Sequence, residues 1–259
     1  MLKPKQSFTV ITVTYRESVD RVEQTLNSIL TQKYPSEKLE IIIKNGDPLD
    51  LSLRQLITNK LRKRKNLYLI ESFDSGVYDA MNQAIEFSTM NWIIFMNVGD
   101  IFFDSNVIAR VAESMIYEPS QKPSIFYGNC IYRGLTLLSP KRVTPFFMYA
   151  NSICHQAIVA SSSIFQQHKI LFNTKYAIIA DRAWLLECLL NRFNFVRINT
   201  TICVYETSNV SVSSNILLAK RELKIYRHQF FPVYLRKFFM VRSILSRIHA
   251  KLIQILTLP

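Results

Sequence analysis

Two short clusters in the first half of this 259-residue chain gather residue types that can do chemistry. The first holds Asp74, Ser75, Gly76, Tyr78, Asp79 and Asn82, and the second holds Asn97, Gly99 and Asp100. Carboxylate oxygens of this kind take up protons or hold hard cations such as Mg²⁺. Acidic residues and glycine are also common in ordinary turns, so either cluster alone could be a solvated loop. Together they suggest more, because each follows a short apolar run.

Those runs are Leu67 to Ile70 and Trp92 to Met96, and both fit buried parallel strands. Between them Val77, Met81, Ala84, Ile85 and Ser88 recur at helical spacing. A strand, a helix and a strand make the repeating unit of an α/β sheet. Ligands of open α/β sheets sit beyond the carboxyl ends of the strands, so two polar clusters at two such ends suggest one site. Phe8 to Tyr15, rich in β-branched residues, is expected as a first strand. A helix capped by Ser18 or Asp20, with Val22, Leu26, Ile29 and Leu30 on one face, leads to a second strand at Leu39 to Ile43. Further helices are expected around Leu53, Leu56, Ile57 and Leu61, around Val107, Val111 and Met115, and around Trp184, Leu185, Cys188 and Leu189. Ile125 to Tyr132 reads as a strand with a turn at Arg133-Gly134, and Phe195 to Val204 as two short strands before a polar loop, Thr207 to Asn215.

The segments Asp74-Ser75-Gly76, Tyr78-Asp79-Ala80-Met81-Asn82 and Asn97-Val98-Gly99-Asp100, in this order, resemble motifs of the family 2 glycosyltransferases. The likeness is nearest to the bacterial colanic-acid and capsule-type polysaccharide enzymes, with D-x-G-[IV]-Y-D-A-M-N and L-N-[SA]-G-D. It is specific over Phe8 to Asp104 and patchier to about Ser214. The resemblance implies a GT-A-type nucleotide-diphospho-sugar transferase fold: an α/β domain with a mostly parallel central sheet flanked by helices. It implies transfer of a sugar from a nucleotide-diphosphate donor to a hydroxyl, with inversion and the help of Mn²⁺ or Mg²⁺.

Residue by residue, the resemblance puts Thr14, Tyr15 and Glu17 at the border of the nucleotide pocket, although a strand end and helix cap explain them equally. Gly76, Tyr78, Asp79, Asn82 and Asn97 shape the donor pocket, with Tyr78 either stacking on a base or packing in the core. Asp100 is the metal ligand, and Asn97 assists it where most relatives carry a second acid. Family members place an Asp at position 44 to contact the nucleobase, whereas this chain has Lys44. Asp47 or Asp50 would then substitute, or Lys44 would touch a phosphate. Cys154-His155-Gln156-Ala157 contains the subgroup's H-Q-A, which gives His155 and Gln156 an acceptor or phosphate contact; a lone His is otherwise most often structural. Asp181 matches the general base, with Arg182-Ala183 replacing the usual second acid, and an N-cap role fits it locally as well.

A hydrophobic fraction of 49% supports a large core, and a net charge of +13 points to an anionic partner: nucleic acid, a membrane face or a phosphorylated substrate. No helix-turn-helix, zinc or aromatic RNA-binding motif is visible, which argues against nucleic acid. Cys130, Cys154, Cys188 and Cys203 form no metal-binding spacing and read as scattered thiols of a reducing cytosol. No signal peptide or membrane span is expected. Residues 216–259 change character: nine Lys and Arg oppose one acid, Glu222, beside an apolar helical stripe and the aromatics Phe230, Phe231, Tyr234, Phe238 and Phe239. The expected organisation is a catalytic domain over 1–215 and a basic amphipathic tail over 216–259 that lies on the inner face of the cell membrane, facing a lipid-linked saccharide acceptor. A helix packed back on the domain is the alternative for the tail. For the whole chain the alternatives are a nucleotidyltransferase, although no Gly-rich basic loop follows the first strand, and a non-catalytic nucleotide-sugar-binding membrane protein.

Overall fold

A computed structural model describes residues 6–61, 64–116, 122–205 and 215–256, with side chains described for all of these except 61 and 246–256. Phe8–Thr14 forms β1, buried along its whole length. Ser18, not Asp20, accepts from Arg21 N and starts α1 (Val19–Leu30), which buries Val22, Leu26 and Ile29. β2 (Leu39–Asn45) lies parallel to β1. Next come α2 (Leu51–Leu61), β3 (Leu67–Glu71), α3 (Val77–Ile85) and β4 (Trp92–Phe95). The chain continues through β5 (Ile101–Phe102), α4 (Val107–Ile116), β6 (Ser124–Tyr132), β7 (Leu135–Leu137), α5 (Pro145–Ala150), β8 (Ile158–Ser161) and α6 (Ser162–Gln166). It ends with α7 (Ala180–Leu190), β9 (Asn194–Tyr205), α8 (Ile216–Phe230) and α9 (Val233–Leu256).

The strands join in the order β3-β2-β1-β4-β8-β6-β9-β5, with β7 paired to β6. The first four are parallel, so four loops leave the same edge of the sheet. β8 runs antiparallel to both β4 and β6, and β9 returns parallel to β6. The result is the mostly parallel α/β sheet expected, with an apolar layer on each face. One layer packs α1, α2 and α4 through Leu26, Ile57 and Val111. The other packs α3, α5, α6, α7 and the start of the tail through Met81, Met148, Phe165, Trp184 and Tyr226.

The structure adds to and alters the local expectations. Phe195 to Val204 lies within one strand of twelve residues, because two register shifts against β6 let it bend without breaking. β5 and α5, too short to show a period, are not legible in the sequence. The aromatic-rich tail divides into two helices at Phe231-Pro232, where proline cannot continue the first. Residues 207–214 of the polar loop lie outside the described residues. The cysteines are all free, but three are not scattered: Cys130 sits opposite Cys203 in the β6–β9 register, with the Cys154 thiol beside them.

Candidate active site

The carboxyl ends of β1 to β4 bring the two polar clusters to one edge of the sheet, and a short turn before β8 and the start of α7 add two more elements. The turn after β4 is fixed from α1. Thr25 Oγ1 accepts from Gly99 N at 2.9 Å and donates to the carbonyl of Asp100 at 2.9 Å. Gly99 has φ +95°, and a side chain there would run into the Arg21 guanidinium. Only glycine takes this backbone shape and this proximity at low cost.

His155 and Gln156, adjacent in sequence, each engage one residue of that turn. Gln156 Nε2 donates to Asp100 Oδ2 at 2.7 Å, and Asn97 Nδ2 lies 3.2 Å from His155 Nε2. His155 Nδ1 in turn lies 3.4 Å from Asp181 Oδ2. Asp181 Oδ1 accepts from Tyr78 Oη at 3.2 Å and from Arg182 N at 2.7 Å. Asn97, Asp100, His155, Gln156, Asp181 and Tyr78 thus form one connected network drawn from four separate stretches of sequence. Behind His155 and Asp181 the wall is apolar, lined by Phe95, Phe165, Phe172 and Trp184.

Electrostatics differ across the network. Burial pushes the Asp100 carboxyl up to about 6, against the opposing pull of the Gln156 hydrogen bond and the nearby His155 and Arg21. Burial and the neighbouring Asp181 raise the Tyr78 hydroxyl, so it stays a donor. Asn97 Oδ1 is buried without a hydrogen-bond partner, as is Thr14 Oγ1 at the end of β1.

The remaining candidates separate into three groups. Gly76 precedes α3 with φ +136° and open space around its Cα. Beside it the Asp79 carboxylate accepts from Ser75 N and Oγ, and the backbone donor holds it below the usual carboxylate range. Tyr78 and Asn82 turn inward: Tyr78 is 6% exposed, and Asn82 bonds both the N–H and the C=O of Phe172. After β1, Tyr15 is exposed, Glu17 pairs with Arg21, and Arg16 pairs with Asp47 at 2.8 Å, which holds the Asp47 carboxyl low.

Lys44 is fully buried. Its ammonium is enclosed by Asp74 Oδ2 at 2.8 Å, the Ser72 carbonyl at 2.7 Å and the Asn45 carbonyl at 3.3 Å. With three donors on three acceptors, Lys44 has none left for a phosphate. The sequence carries the signal for this pair, since a lysine at a buried strand end requires an acid. Asp50 accepts from Leu53 N and caps α2. Asp181 does not cap α7: Ile179 is the N-cap residue, and the helix entry is held by Glu222, reaching in from α8 to the N–H groups of Ala177, Ile178 and Ile179. No period or motif in the sequence points to Glu222 in that position.

Among solved structures, the fold is similar to a mannosyltransferase from Pyrobaculum calidifontis, PcManGT, in complex with GDP-Man and Mn²⁺, with a TM-score of 0.66 and 17% identity over 88% of this chain and 64% of that one. It is also similar to residues 1–349 of S. aureus TarS in complex with UDP-GlcNAc, with a TM-score of 0.65 and 16% identity over 81% and 61% of the two chains. In sequence, 160 residues are 28% identical to a PGL/p-HBAD biosynthesis glycosyltransferase of Mycobacterium bovis, a match that spans 59% of this chain and 59% of that relative. An uncharacterized glycosyltransferase of Mycobacterium tuberculosis is 24% identical over 204 residues, 78% and 75% of the two chains. The family model for glycosyl transferase family 2 matches residues 9–175, from β1 to just short of Asp181, and the chain belongs to that family.

Proposed function

We propose that this chain transfers a glycosyl group from a nucleotide-diphosphate sugar to a hydroxyl of a saccharide acceptor, with inversion. The observation that carries the reading is the network itself: an acid suited to a cation, Asp100, and an acid suited to a proton, Asp181, tied together through His155 and Gln156. The similar structures solved with GDP-Man and UDP-GlcNAc support a nucleotide-sugar donor.

A divalent cation, Mn²⁺ or Mg²⁺, fits the residues present. Asn97 Oδ1 is a buried oxygen without a partner, and Asp100 is a buried carboxyl whose neighbours do not neutralise it. Among the described residues no group of three or more His, Cys, Asp or Glu is arranged to hold a metal ion by itself, so the donor diphosphate and water would fill the other positions. Bound there, the cation offsets the charge that collects on the departing diphosphate.

The chain's own groups do the rest. Gln156 aims the Asp100 carboxylate. The loop at Gly76 leaves room for the donor, with Asp79 setting its shape. Asp181 takes the proton of the attacking hydroxyl on Oδ2, because Oδ1 already serves Tyr78 and Arg182. The new bond forms from the acceptor oxygen to the anomeric carbon as the bond to the diphosphate breaks, and attack from the opposite face inverts the centre. Thr14, Tyr15, Glu17 and Asp47 border the nucleotide end.

The acceptor we favour is lipid-linked, of the surface-polysaccharide type, met at an anionic membrane surface. Support comes from the tail, where Tyr234, Phe238, Val241 and Leu245 are exposed among Arg and Lys. No helix among the described residues is long and apolar enough to cross a membrane. The test is a panel of nucleotide sugars, UDP-GlcNAc and GDP-mannose included, scored by acceptor-independent release of nucleoside diphosphate with and without Mn²⁺. Metal-dependent release from one of them supports the reading. Binding without release would favour a non-catalytic binder, and formation of new nucleotide sugar from a sugar phosphate would favour a nucleotidyltransferase.

A further inference from the structure

We infer that Glu222, in the C-terminal tail, is a positioning residue for Asp181, which makes α8 a working part of the active site. The inference rests on the reading of Asp181 as the proton acceptor. Glu222 is the one acid among residues 216–259, against nine Lys and Arg. A lone acid in such a tail would ordinarily sit in water beside the cations. Here it is 4% exposed and turned inward.

Its carboxylate accepts three consecutive backbone donors. Ala177 N is 2.7 Å from Oε1, and Ile178 N and Ile179 N are 3.0 and 3.2 Å from Oε2. These N–H groups lead directly into α7, whose second residue is Asp181. Ile179 is the N-cap residue and Ala177 and Ile178 lie just before it, so the carboxylate sits at the helix start, where the helix dipole favours an anion. The capping charge therefore comes from a helix 43 residues further along the chain.

The same face of α8 holds both flanks of Asp181. Tyr226, one turn beyond Glu222, donates to the Met148 carbonyl at 3.0 Å, and that carbonyl also receives Arg182 Nε at 2.9 Å. Gln229, a further turn on, accepts from Tyr176 Oη at 2.8 Å. Glu222, Tyr226 and Gln229 follow the i, i+4, i+7 spacing of one helical face. On the other side of the segment, Tyr78 Oη donates to the Ile178 carbonyl at 2.7 Å and reaches Asp181 at 3.2 Å. The segment 176–182 is thus gripped from α8 on one side and α3 on the other. Its position decides where Asp181 Oδ2 meets the acceptor hydroxyl. Small displacements of a positioned group cost rate steeply, while donor binding at the far end of the cleft is untouched.

The experiment uses the full chain with Glu222→Gln, which keeps the shape but turns an N–H₂ toward donors, and with Glu222→Asp, which keeps the charge and withdraws it. Amide hydrogen exchange is read first. In Glu222→Gln, exchange at Ala177, Ile178 and Ile179 should quicken at least tenfold while strands β1 to β4 keep their protection. Wild-type exchange at those three amides overturns the clamp. Turnover is then read on the nucleotide sugar that the wild-type chain hydrolyses in the panel above. Glu222→Gln should lower kcat at least tenfold with the donor KM changed less than twofold, and Glu222→Asp should recover part of the loss. In an Asp181→Asn background, Glu222→Gln should add nothing. Multiplying losses would mean that Glu222 acts elsewhere and would overturn the coupling. Should Glu222→Gln fail to fold, Glu222→Asp carries both readouts, and wild-type exchange or wild-type turnover in that variant overturns the inference. If Asp181→Asn leaves turnover unchanged, the proton-acceptor assignment fails, and the catalytic half of this inference with it, while the exchange signature still tests the clamp alone.

Discussion

His155 Nδ1 lies 3.4 Å from Asp181 Oδ2, while its Nε2 lies 3.2 Å from Asn97 Nδ2. The imidazole therefore spans the gap between the strand end that would hold the donor and the helix start that would take the proton. At 3.4 Å the contact is longer than the 2.7–2.9 Å of a strong charge-assisted bond, so it holds the Asp181 carboxylate only loosely in place. Asp181→Asn is expected to lower turnover by about 10²- to 10⁴-fold, the usual share of general-base catalysis. His155→Gln should cost far less. Loss of this one orienting contact is worth no more than an ordinary hydrogen bond, about 1 kcal/mol, or roughly fivefold in rate. Single-turnover kinetics of both variants checks the ranking, and a His155 effect larger than the Asp181 effect would reverse the two roles.

Asp100 carries a pH dependence. Its folded carboxyl titrates at about 6, whereas an unfolded Asp titrates near 3.9. Between those values the folded chain holds a proton that the unfolded chain has released. Stability from this group is therefore complete below about pH 4, falls as pH rises through 6, and is absent above it. The charge left buried above pH 6 costs on the order of 2–3 kcal/mol. Asp100→Asn, which cannot ionise, should melt higher than the wild type at pH 8 and close to it at pH 4.5. Mn²⁺ should raise the wild-type melting temperature more at pH 8 than at pH 5, because proton and cation compete for one carboxylate, and should leave Asp100→Asn unmoved. Thermal melts across pH with and without Mn²⁺ decide it. A variant less stable than the wild type at pH 8 would contradict the assignment.

Why these two acids are legible in the sequence, and Glu222 is not, follows from where each signal lies. Strands β1 to β4 announce themselves as continuous apolar runs, because a strand covered on both faces has no polar side to mask it. Asp100, Gly76 and Asp79 stand at their ends, where the chain has to turn, so their placement follows once the strands are read. Tyr78 is ambiguous in sequence, since an aromatic residue in the first turn of a helix can face either way. Only tertiary packing against Phe172 and Asp181 settles it inward. β5 has two residues and α5 has six, below the length at which any period shows. The Glu222 clamp joins residues more than 40 apart through backbone donors, which carry no residue identity at all. Lys44 stands out as a departure from the family and, buried, calls for an acid, yet which acid is not legible, because its partner Asp74 stands in the first polar cluster 30 residues further on.

That pairing is testable as a double-mutant cycle. Lys44 and Asp74 have side-chain exposures of 0% and 7%, and Asp74 Oδ1 also accepts from Gly76 N at 3.2 Å. The pair therefore anchors the loop that leads into α3. Removing one partner of a buried ion pair leaves an uncompensated charge and costs about 3–5 kcal/mol, whereas replacing both costs much less. Lys44→Met and Asp74→Asn should each destabilise by roughly that amount in urea unfolding. Together they should cost less than the sum by a few kcal/mol. Additive losses would mean that the two charges do not see each other. An attached side chain at Gly46 would collide with the Asp74 carboxylate, so Gly46→Ala should reproduce part of the single-mutant loss.

The tail calls for a finer cut than removal. Phe231 and Phe239 are buried against Tyr149, and the Arg242 guanidinium lies 4.4 Å from the centre of the Phe146 ring. Deleting everything from Phe230 onward would open the core, and a change in fractionation would then report unfolding. The opposite face of α9 is separable. Tyr234, Phe238, Val241 and Leu245 are each more than half exposed and recur at i, i+4, i+7 and i+11, a single outward stripe. Arg236 and Lys237 lie on the same turns. Such a face suits the boundary between headgroups and acyl chains of an anionic bilayer. Changing all four apolar residues to Ser removes about 1 kcal/mol of membrane burial each, and so should lower binding to phosphatidylglycerol-containing vesicles at least a hundredfold. Melting temperature and release of nucleoside diphosphate should stay close to wild-type values, since none of the four belongs to the core or the network and only Phe238 meets a core ring, that of Phe239, at 5.8 Å between centroids. Co-sedimentation at two salt concentrations separates the contributions, because charge pairing weakens with salt while apolar insertion does not. Equal sedimentation of the wild type and the four-Ser variant would leave α9 as a packing element with a solvated outer face.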